Sequence, residues 1–295
     1  MTLSRSLSRP LARLGLALAA GAVTIGLVGP ATAATDAPSR TTSPDVTAHR
    51  GSSGVAPENT LAAISVALRQ RSDVVENDIQ RTSDGELVIM HDTSLARTTN
   101  VEELFPDRAP WNVGDFTLAE IKQLDAGSWF APEFAGERVP TLAEWGRAIG
   151  GRAGMLLEPK SPALYPGVEV DLDDELRSVK VFRQAVQQGR LVVQSFDHVW
   201  LRGYKQIAPE VPVGLLFGAR PTQADITGAA VWAQQVNPAL GVIQESDITA
   251  IHDAGMEAHV WTVNDGAGMR RAINWRADGI ITNYPQVLRD ILSQR

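Results

Sequence analysis

From Val46 onward, short apolar runs alternate with longer stretches in which apolar residues recur three or four positions apart. The first pattern is that of a strand buried on both faces, the second that of an amphipathic helix. Strands are predicted at 46–49, 74–79, 155–158, 191–195, 213–217, 235–237, 257–262 and 279–282, and helices at 60–69, 173–188, 198–207, 224–233, 245–254, 266–275 and 285–292. Pro285 opens the last helix and Gly255 closes an earlier one, each at a terminus that suits it. Eight strands alternating with helices is the count that a closed (β/α)8 barrel needs. The interval between the second and third strands breaks the rhythm. An Asp84-Gly85 turn predicts a hairpin of 79–82 with 87–90, and about 93–140, bearing prolines and tryptophans, reads as an inserted subdomain over one end of the barrel.

The first residues change the picture of where the fold begins. Arg5, Arg9 and Arg13, an apolar stretch over 14–28, and the small residues Ala31-Thr32-Ala33 have the form of a secretory signal cleaved after Ala33. Residues 34–44, small and proline-punctuated, read as a disordered leader, which leaves 45–295 as the folded domain and an exported, secreted product. The apolar run is short for a membrane span, so no stable membrane anchor is expected. Removing residues 1–33, which carry three arginines and no acidic residue, takes the net charge from −7 to −10. That sign disfavours nucleic acid as a partner. The absence of cysteine leaves core packing, with help from a bound cation, to hold an exported chain together.

In a barrel of this kind the chemistry sits at the C-terminal ends of the strands. There the chain places His49 and Arg50, Glu76 and Asp78, His91 after the hairpin, Glu158 and Lys160, and Trp261. Glu76 and Asp78 are two apart and point to one side of their strand. With Glu158 they make three carboxylates whose hard oxygens suit Ca2+ or Mg2+. Two imidazoles beside a cation can act as general acid and base, and Arg50 and Lys160 add the fixed positive charge that receives a phosphoryl group. Gly51 to Gly54 let the backbone turn back after His49, and Pro57-Glu58-Asn59-Thr60 starts the first helix, with Asn59 or Thr60 as its cap. Trp261 can face a substrate's carbon skeleton or the core. His198, His252 and His259 fall inside elements and read as structural.

Six segments in order, HRG with PENT over 49–60, VVENDIQRTSDGELVIMHDTSLARTTN over 74–100, LLEPK over 156–160, QSF over 194–196, WTVN over 261–264 and DGIITNYP over 278–285, resemble the glycerophosphodiester phosphodiesterases. The resemblance implies a TIM-type barrel with a small inserted subdomain and one divalent ion, Ca2+ or Mg2+. It also implies metal ligands at Glu76, Asp78 and Glu158, an acid/base pair at His49 and His91, and phosphate contacts at Arg50 and Lys160. The reaction implied is hydrolysis of small-molecule glycerophosphodiesters to sn-glycerol 3-phosphate and an alcohol. Two variants stay open, a lysophospholipase D and an enzyme trimming glycerophosphate-containing wall polymers. Apolar side chains exposed around Trp111, Phe116, Trp129 and Phe130 would favour lipid, and the same side chains folded into a local core would favour small soluble diesters. A phosphodiester-binding protein without turnover and a Lys160 Schiff-base aldolase are the rivals. Head group and oligomeric state are not legible.

Overall fold

The computed structural model describes residues 43–294. The expected export signal, its cleavage site and the leader up to residue 42 lie outside the described residues. Nine strands run in the order β1 (Asp45–Ala48), β2 (Val74–Arg81), β3 (Leu87–Ile89), β4 (Gly154–Pro159), β5 (Leu191–Ser195), β6 (Val213–Phe217), β7 (Gln235–Pro238), β8 (Glu257–Val260) and β9 (Gly279–Thr282). All but β3 are mutually parallel, and β1 pairs with β9 on one side and β2 on the other, which closes the barrel. Of the closing registers, Thr47 lies opposite both Val74 and Ile281, so the first strand is wedged between elements from the two ends of the domain. β3 folds back antiparallel on the end of β2, with Ile79 opposite Ile89, forming the hairpin expected from Asp84-Gly85.

The helices are α1 (Leu61–Arg69), the short α2 (Val101–Leu104) and α3 (Leu118–Ile121), then α4 (Leu142–Ile149), α5 (Val168–Ser178), α6 (Lys180–Gln187), α7 (His198–Ile207), α8 (Gln223–Ala229), α9 (Glu245–Asp253), α10 (Gly266–Asn274) and α11 (Pro285–Ser293). Two differ from the sequence-based expectation. The single helix expected over 173–188 is two, α5 and α6, broken where Val179 takes an extended conformation (φ −87°, ψ 120°). Leu176 and Phe182 are both buried but six positions apart, and six residues of unbroken helix at about 100° each would carry them to different faces. The break turns α6 so that both reach the core. α4 was not foreseen; Thr141 caps it in a reciprocal box with Glu144, and it buries Trp145 against the barrel.

Two cores result. The larger fills the barrel and the layer beneath its helices, with Trp145, Phe182 and Tyr204 fully buried. The smaller lies under the segment between β3 and α4, where Val88, Leu95, Val113, Phe116, Ile121 and Leu124 are enclosed. Phe116 packs edge-on to Phe105 with ring centroids 5.3 Å apart. Trp111 packs against this cluster and donates its indole N–H to the Phe105 carbonyl at 2.8 Å. No described helix is long and apolar enough to cross a membrane.

Candidate active site

At the C-terminal end of the barrel, the register of β2 against β4 sets Asp78 opposite Glu158 and Glu76 opposite Leu156. Glu76, Asp78 and Glu158 are all buried, and each offers a carboxylate oxygen within 4.8 Å of the others. Their charges are compensated from the surrounding loops. The backbone N–H of Arg50 donates to Glu76 Oε2 at 2.7 Å, and its Nε lies 3.1 Å from Asp78 Oδ2. Asn59 donates its amide to the same Asp78 oxygen at 2.8 Å. Lys160 Nζ sits 2.6 Å from Glu158 Oε1 and 3.7 Å from Asp78 Oδ1.

The compensation is incomplete. Glu76 Oε1 and Asp78 Oδ1 are buried without a hydrogen-bond partner. Burial, then Asp78 and Glu158, pushes Glu76 well above the usual carboxylate range. Burial and the Asp78 charge push Glu158 up to about 7 in spite of Lys160. Burial acts on Asp78 in the same direction, but Arg50 and Lys160 outweigh it and hold that carboxyl below its ordinary value. Three converging oxygens with two left orphaned are the donor set of a hard divalent cation, and the residues fit one.

The local backbone explains why His49 and Arg50 sit where they do. β1 ends at Ala48, one residue earlier than expected, and His49 is the first residue beyond it. Arg50 (φ 55°), Gly51 (φ 78°) and Asn59 (φ 61°) all take left-handed conformations. A Cβ on Gly51 would stand 2.7 Å from Ala63 on α1, so both the turn and its packing require glycine. Thr60, not Asn59, caps α1, its side chain accepting the Ala63 N–H; Asn59 is instead spent on Asp78.

His49 and His91 share a cleft of about 80 Å³ with Arg50, Glu76, Glu158, Lys160 and Trp261. His49 Nδ1 meets Asn283 Oδ1 at 2.6 Å, which places the proton on Nδ1 and leaves a lone pair on Nε2. Burial and the neighbouring Arg50 lower its pKa to about 4, so the ring is neutral at neutral pH. His91 Nδ1 meets Asp92 Oδ1 at 2.6 Å. Asp92 is held in turn by Arg97 Nε at 2.5 Å, and Arg97 grips both oxygens of Glu58, at 3.0 and 2.7 Å. Glu58 accepts from Arg50 at 3.0 Å, which closes a chain of alternating charge from His91 to Arg50 and Asp78.

All eight residues singled out from the sequence are therefore gathered, seven of them lining the cleft and Asp78 buried behind it. Arg50 and Lys160, expected as phosphate contacts, here ion-pair with the carboxylates. Trp261 lies just past the regular part of β8, which ends at Val260 rather than 262; its indole N–H donates to the Asn237 carbonyl at 2.7 Å and its ring meets Phe196 edge-on at 5.4 Å. His198, His252 and His259 bond to the Leu216 carbonyl, Asp278 and Glu257, away from the carboxylates. Asn59, expected only as a candidate cap, and Glu58, Asp92, Arg97 and Asn283 were given no role in the site. Asp92 adjoins His91 and Asn283 ends β9, so both were visible by position; nothing in the sequence ties Arg97 to Glu58, 39 residues away.

The family model described as the glycerophosphoryl diester phosphodiesterase family matches residues 49–287. A glycerophosphodiester phosphodiesterase of Bacillus subtilis (strain 168) is 36% identical over 257 residues, covering 83% of this chain and 85% of its own length. One from Caldanaerobacter subterraneus subsp. tengcongensis is 37% identical over 249 residues, covering 84% and 97%. Among solved structures, an Oleispira antarctica phosphodiesterase in complex with the product sn-glycerol-3-phosphate superposes with a TM-score of 0.73 at 31% identity, over 85% of this chain and 97% of that one. With its barrel closed, its carboxylates clustered at the C-terminal end and nearly its whole folded length matched, the chain belongs to the glycerophosphodiester phosphodiesterase family.

Proposed function

We propose that the protein is an exported, metal-dependent phosphodiesterase that hydrolyses small, soluble glycerophosphodiesters to sn-glycerol 3-phosphate and an alcohol. The observation that carries the metal requirement is the buried trio Glu76, Asp78 and Glu158 with its two orphaned oxygens. Ca2+ or Mg2+ held there supplies positive charge against the phosphate's developing negative charge. The product follows from likeness to the Oleispira antarctica phosphodiesterase. Export and secretion rest on the form of residues 1–33 alone.

His49, neutral and braced by Asn283, accepts at Nε2 the proton of the oxygen that bonds to phosphorus. That oxygen is either that of water or that of the neighbouring glycerol hydroxyl, in which case water then opens the resulting cyclic phosphate. His91, whose Nδ1–H is directed at Asp92, gives a proton from Nε2 to the departing alcohol. Arg50 and Lys160 hold the phosphate oxygens, and each is kept charged by the carboxylates beside it. The alcohol leaves through a wider groove of about 610 Å³ that opens past Lys160 and Phe196. A small head group is favoured over a lipid because Phe116 and Trp111 are folded into a local core rather than presented as an apolar surface. Trp129, at 40% exposure, packs edge-on against Phe130, which packs in turn on Phe134.

The test is release of glycerol 3-phosphate from glycerophosphocholine by the chain beginning at Ala34, with chelator and then with Ca2+ or Mg2+ restored. Turnover that stops with chelator and returns with one cation supports the reading and names the ion. Turnover undiminished by chelator removes the metal from it. Tight binding without turnover under every cation would leave a phosphodiester-binding protein.

A further inference from the structure

The opposite end of the barrel carries charge of another kind. Arg71 before β2, Arg152 before β4 and Arg190 before β5 line an open groove of about 790 Å³ together with Arg69 of α1 and Arg289 of α11. Asp73 is the acidic residue of that lining, and both its oxygens are engaged, Oδ2 by the Val46 N–H at 2.8 Å and Oδ1 by Arg289 at 2.5 Å. Of the remaining guanidiniums, those of Arg69, Arg152 and Arg190 are oriented by neutral oxygens. Arg69 donates to the Ser65 hydroxyl at 2.7 Å, Arg190 to the Gly151 carbonyl at 3.0 Å, and Arg152 to the carbonyls of Ile149 and Ala148. Such partners fix a fork in space without cancelling its charge. Among the described residues, no carboxylate lies within ion-pair distance of Arg69, Arg71, Arg152 or Arg190. The chain has 34 acidic residues against 27 basic ones, so four uncompensated guanidiniums around one groove are not forced by its composition.

We propose that this groove is a second anion site, separate from the catalytic cleft, for a linear molecule bearing at least two phosphate groups. A phosphate oxyanion is matched by about two guanidinium forks, so a single phosphate would leave half of the free charge unanswered, whereas two or more spaced along a chain engage all four. The groove is open along the surface, which suits a strand passing through rather than a compact metabolite enclosed in a cavity. The site does not depend on the catalytic reading. It lies at the N-terminal end of the strands, and its occupancy is measured without turnover.

Isothermal titration of the intact protein with inorganic tripolyphosphate, beside orthophosphate, tests the proposal. Tripolyphosphate is expected to bind with an affinity that falls as salt is raised, and Arg71→Gln/Arg152→Gln/Arg190→Gln to weaken it by about tenfold or more. The same variant is expected to keep wild-type kcat and KM on glycerophosphocholine. Unchanged binding by the triple variant, or orthophosphate binding as tightly as tripolyphosphate, overturns the proposal. Should the triple variant fail to fold, Arg71→Gln and Arg190→Gln are compared singly; a weakening in each supports the site, and none in either overturns it. A poly(glycerol phosphate) oligomer run in parallel separates the two sources of such an anion. Binding of either one supports the shared chemistry, and binding of neither sinks it.

Discussion

The two ends of the barrel solve the problem of concentrated charge in opposite ways. At the C-terminal end, Glu76, Asp78 and Glu158 are buried and are answered by Arg50 and Lys160, and Arg50 is held in addition by an ion pair to Glu58. At the N-terminal end the arginines are mostly exposed, and carbonyl and hydroxyl oxygens orient all but Arg71. Buried like charge needs opposite charge within a few ångströms because the medium screens it poorly; exposed like charge is screened by solvent and salt. Disturbing the first end should therefore have large and specific effects on reaction, and disturbing the second should leave reaction alone.

The largest effect is expected at the trio. Glu76→Ala should abolish cation binding, measured by equilibrium dialysis, and lower kcat/KM by about a thousandfold or more, since the ion contributes several kcal/mol to charge stabilisation. His91→Ala should keep the bound cation and lose about 10²–10⁴ in rate, the range for one proton-transfer group. A His91→Ala protein that turns over at wild-type rate would remove His91 from the mechanism. Next in size is Arg97, which reaches the site only through Asp92 and Glu58. Arg97→Ala should cost about 10–100-fold, as outer-shell partners do, with kcat affected more than KM. Arg97→Lys should not rescue it, because one ammonium cannot fork onto both carboxylates. Full activity in either variant would reduce that chain to a surface ornament.

A smaller effect concerns pH. Glu158 is raised to about 7 from an ordinary 4.5, so the folded state holds its proton more tightly than the unfolded state does. Stability from this group is present below about pH 4.5 and is lost as pH climbs through about 7. A bound cation favours the ionised form and reverses that loss. The rise in Tm on adding Ca2+ or Mg2+ should thus be small at pH 5 and larger at pH 8; an equal rise at both would contradict the carboxylate assignment. The smallest effect of all, none on turnover, is expected from substitutions in the arginine groove.

How much of this was visible beforehand follows the range of the interactions. The strands and the trio were legible because each is local: a run of apolar residues, a pair two apart, a carboxylate closing a strand. The split between α5 and α6 was hidden, since it depends on which faces Leu176 and Phe182 must bury rather than on a helix-breaking residue. α4 has no expected counterpart although Thr141 and Glu144 carry a capping pattern, because it falls in the short gap between the end of the insertion at about 140 and the strand expected from 155. The bracing of His49 by Asn283 and of His91 through Arg97 joins residues that only the closed barrel brings together. The arginine groove is more diffuse still, assembled from three connections and two helices with no motif among them.

That wide separation has a consequence for timing. His49 and Asn283 are 234 positions apart and meet only because β9 docks beside β1. A chain emerging from its N-terminus carries His49, both cations and all three carboxylates long before the strand that completes the ring. Contacts between such distant positions form late and slowly, after the intervening loop has been closed. A chain interrupted anywhere before Asn283 would hold nearly every reacting group and still lack the lock on its histidine, so the order of synthesis makes the proton acceptor's orientation one of the last features acquired.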